Sequence, residues 1–375
     1  MIRVARGLVT IMMGAGVLGP VMNATAQTGQ EAVFVMTNAA DKNEVIVYQQ
    51  SANGDFYEGQ HYATGGRGSG GTADPLQSQG SLTLSRNHAF LFAVNAGSGT
   101  VSEFRVDHSS LILVDQLPSG GSEPVAVTQW GNFVYVLNSA GDGSVVPFSL
   151  GPDGHLQKMQ NAISYLTGAN TGGASLAISP NGQFLAVTER VPNNIDIFPI
   201  KSNGTLGTIV VNHDSDPGTF SSVFAPNGTL IVAETGPDPT SNTATVSSYT
   251  VPASGNLSPV GLNVPTLGAA NCWDVVTPNG KWVYASNSAS GTVSGFAVGT
   301  GGTLTPIADT VVGTNPEGSL NLDLAVSGDG KYLFTLDSGT GAISVFGIQS
   351  DGTLNNLGDV QGLPKAAGFN GIAAL

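Results

Sequence analysis

Cysteine is almost absent from this chain, and charged residues are scarce. A single cysteine, Cys272, excludes an intrachain disulfide, so the fold must be stable without covalent cross-links. Charged residues make up only 10% of the sequence, with 12 Lys plus Arg against 26 Asp plus Glu and a net charge of −14. Binding to nucleic acids and anionic membranes depends on clustered Lys and Arg. The composition therefore argues against both as partners.

Long apolar segments are also missing, apart from one near the N-terminus. Two arginines there precede a short apolar run and an Ala-Thr-Ala sequence that ends at Ala26, which is the pattern of a secretory signal peptide. An uncleaved anchor is the alternative, but the run is short and is interrupted by glycines and a proline. We expect residues 1–26 to be cleaved and residues 27–375 to form one exported domain, periplasmic or extracellular, with no membrane span.

Glycine is abundant, with 52 residues, and much of it belongs to a repeat. The clearest copies are "ASLAISPNGQFLAV" from Ala174, "CWDVVTPNGKWVYA" from Cys272 and "LDLAVSGDGKYLFT" from Leu322. Each copy reads as an apolar strand, a tight Asn-Gly or Asp-Gly turn and a second apolar strand, followed by two more strands. A four-stranded unit that recurs at roughly 50 residues is typical of a β-propeller blade.

The second strand of this unit can be counted along the chain. Its seven copies end at Asn38, Asn95, Asn138, Glu189, Thr235, Asn287 and Asp337. The count predicts an all-β, seven-bladed β-propeller with four antiparallel strands per blade. The chain enters on a second strand near Glu31, and the missing first strand appears at residues 369–375, so the C-terminal strand should close the N-terminal blade. A parallel β-helix and a two-sheet sandwich are the alternatives, but they favour shorter periods or no long repeat.

In a propeller, the ends of the second strands and the starts of the first strands converge on one mouth of the central channel. Carboxylates and an arginine at such a mouth can activate water and stabilise an oxyanion. We therefore predict Glu189, Arg190 and Glu234 as catalytic residues. The predicted ligand-binding residues are Asn95, Asn138, Trp273, Asn287, Asp337 and Arg67. The alternative for the Asn and Asp positions is a structural one, since these residues commonly cap turns. A structural role is also the alternative for Glu189, Arg190 and Glu234, where a local surface ion pair would contribute little energy.

Motifs for metals and cofactors are missing from the sequence. The five histidines are scattered, and no EF-hand or HExxH string occurs, so we expect no metal and no cofactor. The glycine-rich segment 64–80 lacks the ending of a phosphate-binding loop and precedes a strand. We interpret it as a long loop over the mouth, with Arg67 as its one cation. Cys272 is interpreted as a buried apolar residue, and a nucleophilic role is the alternative.

The strings "SPNGQFLAV", "NNIDIFPIKSNGTL" and "FVYVLNSAGDGSV" resemble the lactonase family of seven-bladed propellers, which includes 6-phosphogluconolactonases and carboxymuconate-lactonizing enzymes. The resemblance covers residues 31–375 and implies a His, Arg and Glu cluster at the mouth. The string "TERVPNNI" places Glu189 on the family's Glu. Ser175 and Ser221, however, stand where histidines are expected, and Ser288 stands where an arginine is expected.

Two functions fit these observations. The first is an exported hydrolase of the lactone of a sugar acid or related carboxylic acid, in which Glu189 or Glu234 activates water and Arg190 stabilises the oxyanion. The second is a non-catalytic propeller that binds a glycan, peptide or protein through the same mouth. In either case we expect a monomer with its ligand at the mouth.

Overall fold

A computed structural model describes residues 31–375, and all regular elements in this range are β-strands. They form seven sheets, each with antiparallel strands in order from the central channel outwards. The predicted seven-bladed, all-β propeller with four antiparallel strands per blade is thus confirmed. Within the same range, no helix is long and apolar enough to cross a membrane. The predicted signal peptide, residues 1–26, lies outside the described residues.

Each blade contributes one strand to each of four concentric positions. The innermost strands are β4 (Leu82–Leu84), β8 (Ser122–Trp130), β13 (Gly173–Ile178), β17 (Thr219–Phe224), β21 (Asn271–Val276), β25 (Asn321–Val326) and β29 (Ile372–Ala374). The second strands are β1 (Ala32–Met36), β5 (Phe90–Asn95), β9 (Phe133–Ala140), β14 (Phe184–Glu189), β18 (Leu230–Glu234), β22 (Trp282–Asn287) and β26 (Tyr332–Asp337).

The third and fourth strands complete the blades towards the outside. The third strands are β2 (Glu44–Gln50), β6 (Thr100–Asp107), β10 (Ser144–Leu150), β15 (Asn194–Pro199), β19 (Thr245–Thr250), β23 (Thr292–Val298) and β27 (Ala342–Ile348). The outermost strands are β3 (Phe56–Ala63), β7 (Ser110–Pro118), β11 (Leu156–Lys158), β16 (Val210–His213), β20 (Ser258–Pro265), β24 (Leu304–Thr314) and β28 (Leu354–Gln361). In blade three the short strand β12 (Ser164–Tyr165) also pairs with β10.

The ring closes where the two ends of the described chain meet. Strand β29 pairs antiparallel with β1, with Ala373 opposite Phe34. The backbone N–H of Leu375 donates to the carbonyl of Ala32 at 2.9 Å. The C-terminal strand therefore completes the first blade, as the sequence predicts, and the inner edge of that sheet is paired.

The hydrophobic core lies between neighbouring blades, so the second strands are buried on both faces. Leu185 and Val187 of β14, for example, pack in one cluster with Tyr135 of blade three. The Tyr135 hydroxyl donates to the carbonyl of Gly204, in the outer turn of the next blade, at 2.9 Å. Each blade therefore depends on its neighbours for burial of its apolar side chains.

The two faces of the ring carry different connections. One face carries the Asn-Gly and Asp-Gly turns between first and second strands; in one of them Asn279 Oδ1 accepts the N–H of Lys281 at 2.9 Å and Gly280 has a φ of 70°. We call the opposite face the loop face, because it carries the second-to-third and fourth-to-first connections. The opening of the central channel on the loop face is called the mouth.

Deletion of residues 369–375 should abolish cooperative folding. The truncated chain loses the innermost strand of blade one and exposes the edge of β1. Deletion of Leu375 alone is the control, since it removes one backbone hydrogen bond, worth about 1 kcal/mol. Thermal unfolding followed by circular dichroism measures both. A sharp transition at the wild-type temperature in the longer deletion would contradict the closure.

Candidate functional site

The polar residues that end the second strands are buried, although the sequence predicts them at the mouth. Each of the following side chains has an exposed fraction of 0%: Asn95, Asn138, Glu189, Glu234, Asn287 and Asp337. Where hydrogen bonds form, most of their partners lie on the third strand or in the adjoining connections. Asn287 Nδ2, for example, donates to Thr292 Oγ1 at 3.1 Å and to Ser294 Oγ at 2.8 Å. These side chains therefore have no contact with solvent at the mouth.

A glycine covers the asparagine in three blades. A Cβ atom added to these glycines would come within 2.4 Å of Asn95 at Gly66, 2.6 Å of Asn138 at Gly121 and 2.3 Å of Asn287 at Gly268. Real Cβ contacts are never this short, so the fourth-to-first connection can pass over the asparagine only because these residues lack a side chain. The asparagine and the glycine together form a tight structural contact.

Glu189 occupies the equivalent position in blade four. Its two carboxylate oxygens accept the backbone N–H of Thr167 at 3.0 Å and the Thr167 hydroxyl at 2.9 Å. Asp196, on the third strand, is fully buried beside it. Burial and the adjacent Glu189 raise the pKa of Asp196 to about 9. This raised pKa favours the neutral form of Asp196 inside the blade.

Glu234, in blade five, is fully buried and lies near two half-buried carboxyls, Asp214 and Asp216. The Thr245 hydroxyl lies 2.6 Å from Glu234 Oε2 and 2.6 Å from Asp216 Oδ2. The Thr245 hydroxyl therefore links the two carboxyl groups. Burial, with a smaller effect from Asp214, raises the pKa of Glu234 well above its usual range. Burial therefore favours the neutral form of Glu234, whose side chain does not contact solvent.

Asp337 is placed in the same way in blade seven. Its Oδ1 accepts hydrogen bonds from Asn315 Nδ2 at 2.9 Å and from Thr335 Oγ1 at 3.1 Å. Burial raises the pKa of Asp337 to about 7, against the lowering effect of its hydrogen bonds, of which the one from Ser344 is the largest. This carboxyl also holds the blade together and does not reach solvent.

The mouth itself is closed by residues 74–79, the end of the glycine-rich segment, which we call the plug. The plug bonds to the innermost strands of distant blades: Ser78 Oγ donates to the carbonyl of Val125 at 2.8 Å, and the N–H of Gln79 donates to the carbonyl of Ala174 at 2.9 Å. The Gln79 side-chain amide pairs with the backbone of Asp274 at 2.7 and 3.1 Å. The segment predicted to lie over the mouth thus enters the channel and seals it.

Below the plug, the channel contains a cavity of about 310 Å³. Its walls are mainly aliphatic side chains of the innermost strands, such as Val127, Leu176 and Val275, and Gln79 forms its upper end. No ionisable side chain lines this cavity in the part of the chain that the structure describes. Acid–base chemistry is therefore expected above the plug and not inside the channel.

Arg190 follows Glu189 directly, but it points in the opposite direction, over the mouth. Its guanidinium lies above the ring of Phe220, with Cζ 5.9 Å from the ring centroid. Burial lowers the pKa of Arg190, while the charges of Asp74 and, more weakly, Glu123 act in the opposite direction. Its Nε is buried without a hydrogen-bond partner, and the side chain forms no ion pair with any residue from 31 to 375.

Asp74, on the plug, is the carboxylate that sequence reasoning missed. Its Oδ1 accepts the backbone N–H of Gln77 at 2.9 Å and Asn370 Nδ2 at 3.0 Å. Burial raises the pKa of Asp74 to about 7, and the positive charge of Arg190 counteracts part of this rise. Nothing in the string "TADPLQ" distinguishes this Asp from an ordinary turn residue, because its position depends on how the plug folds.

Two consecutive residues of blade six support the mouth. Trp273 is 1% exposed, packs edge-on against Phe220 with centroids 5.1 Å apart, and donates from Nε1 to the carbonyl of Ser78 at 2.9 Å. This predicted ligand-binding residue therefore anchors the plug. Cys272 is buried, and its burial raises the pKa of the thiol. That environment disfavours the thiolate that a nucleophile needs.

Arg67, the last of the predicted ligand-binding residues, is exposed on the first part of the glycine-rich segment. Its backbone N–H donates to Ser98 Oγ at 3.0 Å, beside blade two. Of the residues predicted for the site, the structure thus brings Arg190 to the mouth, leaves Arg67 on the surface and buries the others. Between residues 31 and 375 there is also no group of three His, Cys, Asp or Glu that could hold a metal ion.

The buried carboxyls predict that stability falls as pH rises. The folded-state pKa of Asp196 is about 9, whereas an unfolded Asp titrates near 4. The folded state therefore binds more protons between these values, and the free energy of unfolding decreases with pH across the window, by at most about 4 kcal/mol from pH 5 to 8 for this carboxyl. The melting temperature should be lower at pH 8 than at pH 5.

Asp196→Asn tests the assignment, because the amide has nearly the same size and shape as the carboxyl but does not ionise. The variant should lose part of the pH dependence and should be more stable than the wild type at pH 8. Asp351→Asn is the matched control, since Asp351 is exposed and its pKa is lowered by Thr353. An unchanged slope in Asp196→Asn, or a melting temperature that rises from pH 5 to 8, would show that the carboxyl is ionised.

Comparisons with known proteins agree with this architecture. The model of the family "Lactonase, 7-bladed beta-propeller" matches residues 30–165, 141–265 and 236–368. A search of curated proteins finds no match. Among solved structures, a putative 6-phosphogluconolactonase from Bacteroides uniformis has a TM-score of 0.68 at 18% identity, over 93% of this chain and 100% of that chain.

Two further solved structures have the same fold. The periplasmic gluconolactonase of Pseudomonas aeruginosa has a TM-score of 0.66 at 17% identity, over 91% of this chain and 99% of that chain. A protein from Lactobacillus plantarum has a TM-score of 0.70 at 15% identity, over 92% and 99%. At these identities the structural likeness concerns the fold, whereas the family model matches the sequence over almost all of residues 30–368. The chain therefore belongs to the lactonase family of seven-bladed β-propellers.

Proposed function

We propose that the protein hydrolyses the lactone of a sugar acid or a related carboxylic acid at the mouth. The observation that carries the proposal is the guanidinium of Arg190, which is half-buried and has no ion-pair partner in residues 31–375. A buried cation without a partner is costly unless a ligand supplies the opposite charge. When water attacks the carbonyl carbon of a lactone, the carbonyl oxygen becomes an anion and supplies this negative charge.

The chemistry follows from this geometry. Phe220 and the wall of the mouth hold the Arg190 guanidinium on one side, so its N–H groups are preorganised donors. A donor of this kind stabilises an oxyanion more strongly in a partly desolvated site than it does in water. The plug closes the channel below, so the lactone is bound from the loop face.

The relatives support this choice of reaction. The family name refers to lactonases, and two of the similar solved structures carry the names of a putative 6-phosphogluconolactonase and a periplasmic gluconolactonase. Both names describe lactones of sugar acids.

Non-catalytic binding of a glycan, peptide or protein at the same mouth is the second candidate. It is favoured by the serines that replace the histidines implied by the family resemblance. Ser175 is buried and bonded to Thr188 and Ser222 at 3.0 Å each, and Ser221 is buried without a partner. Neither serine can replace a solvent-accessible imidazole as a proton acceptor.

We also propose that the protein is exported and acts in the periplasm or outside the cell. The supporting features are the N-terminal sequence pattern and the likeness to a periplasmic protein. Expression of the whole chain should give a mature protein that begins at Gln27, as measured by intact-mass spectrometry of the extracytoplasmic fraction. A protein that retains Met1 and stays in the cytoplasm would contradict export.

Arg190→Gln should reduce lactone hydrolysis by roughly 100-fold or more, the usual cost of losing one oxyanion donor. The assay is proton release from a panel of five- and six-membered aldonolactones, corrected for the buffer rate. Arg105→Gln is the matched control, since Arg105 is exposed on blade two and bonds only to the carbonyl of Asp153.

The outcomes of this assay separate the two candidates. Hydrolysis that is lost in Arg190→Gln and kept in Arg105→Gln supports the enzyme. If the wild type does not accelerate the hydrolysis of any lactone but binds the hydroxy acid, the non-catalytic function is correct. Equal activity in wild type and Arg190→Gln would show that Arg190 does not contribute to catalysis.

A further inference from the structure

Lactone hydrolysis needs a group that takes a proton from the attacking water, and the carboxylates predicted from the sequence are not placed to do so. Glu189 and Glu234 are fully buried and bonded inside their blades. We infer that Asp74, on the plug, is the general base of the site. This inference rests on the proposed function and adds the residue that activates water.

The position of Asp74 is the first argument. It lies where the plug crosses the mouth, and Asn370 of the closing strand segment holds its Oδ1 together with the N–H of Gln77. Its other oxygen, Oδ2, has no hydrogen-bond partner within the described chain. One oxygen is therefore fixed and the other is free to accept a proton from water, which is the arrangement that a general base requires.

The neighbouring charge is the second argument. Asp74 and Arg190 interact electrostatically across the mouth, and each shifts the pKa of the other towards the charged form. A water molecule between the two side chains could thus donate a proton to Asp74, while the carbonyl oxygen of the lactone lies beside the Arg190 guanidinium. The burial that raises the pKa of Asp74 to about 7 makes it a stronger base than an exposed carboxylate.

Other carboxylates near the mouth fit the role less well. Both oxygens of Asp323 already accept backbone N–H groups, from Leu324 at 2.9 Å and from Ile372 at 3.3 Å. Glu123 is exposed, and within the described residues no side-chain hydrogen bond orients it. Asp74 alone among these three combines a fixed side chain with a free oxygen.

The reaction balances with these two residues and water. Asp74 Oδ2 takes one proton from the water while the oxygen of the water bonds to the lactone carbonyl carbon. The carbonyl oxygen then becomes an anion beside Arg190. When the intermediate collapses, the carbon–oxygen bond of the ring breaks and the proton on Asp74 passes to the departing ring oxygen. The product is the open hydroxy acid, and Asp74 is ionised again.

Asp74→Asn is the central test, because the amide oxygen can still accept from Gln77 and Asn370 and so keep the plug in place. Its kcat for lactone hydrolysis should fall at least about 100-fold with little change in KM, the usual effect of losing a general base. Glu123→Gln is the matched control: it also removes one negative charge that acts on Arg190, and it should retain the wild-type rate within about threefold. Circular dichroism and melting temperature confirm that both variants are folded.

The wild type supplies a test that needs no variant. Its kcat/KM should fall on the acid side with an apparent pKa near 7, the value for Asp74. A rate that is flat from pH 5 to 8, or an Asp74→Asn enzyme within about threefold of the wild type, would overturn Asp74 as the base and leave the proposed function standing. Loss of activity in a folded Glu189→Gln, with Asp74→Asn active, would assign the role to Glu189. A wild type without lactonase activity would refute the proposed function and this inference together.

Discussion

Every blade of this protein must bury a polar side chain at the end of its second strand, and the loop face is built around that constraint. A buried polar group without a partner costs more than its hydrogen bond contributes, so a partner from the surrounding chain stabilises it. Within residues 31–375, the Asn138 side chain of blade three lacks such a partner. In blades two and six the side chain is asparagine, and hydroxyls on the third strand satisfy it beneath a glycine. In blades four, five and seven it is a carboxyl, and a second carboxyl lies close to it. These contacts fix the second-to-third and fourth-to-first connections, which surround the mouth.

The same constraint explains how far the sequence could predict the structure. Repeats, turn signals and the count of second strands were sufficient for the fold and for its closing strand, because each of these depends on local patterns. Successive side chains of a strand point to opposite faces, so an error of one residue in the register reverses the predicted direction of the side chain at the strand end. Glu189 and Arg190 are neighbours in the sequence, yet the first is directed into the blade and the second over the mouth. Of the residues predicted as catalytic, only Arg190 therefore lies at the mouth.

The plug could be predicted only in outline. Its glycine-rich composition and its place between blades one and two indicate a long loop near the mouth. The contacts that draw it into the channel come from residues 47 to 296 positions away, such as Val125 and Asn370. No local pattern encodes such contacts, so the position of Asp74 could not be inferred before the fold was known. The functional residues of this propeller are thus expected where the plug meets the second-to-third connection of blade four.

The central claim is that ligands bind at the mouth through Arg190, and not on the polar ends of the second strands. The most direct measurement is a crystal structure of the mature protein soaked with an aldonate, the open product of lactone hydrolysis. The account predicts that the carboxylate of the aldonate lies within hydrogen-bonding distance of the Arg190 guanidinium, above the plug and beside Asp74. An aldonate that binds elsewhere, with Arg190 paired to a protein carboxylate instead, would contradict it.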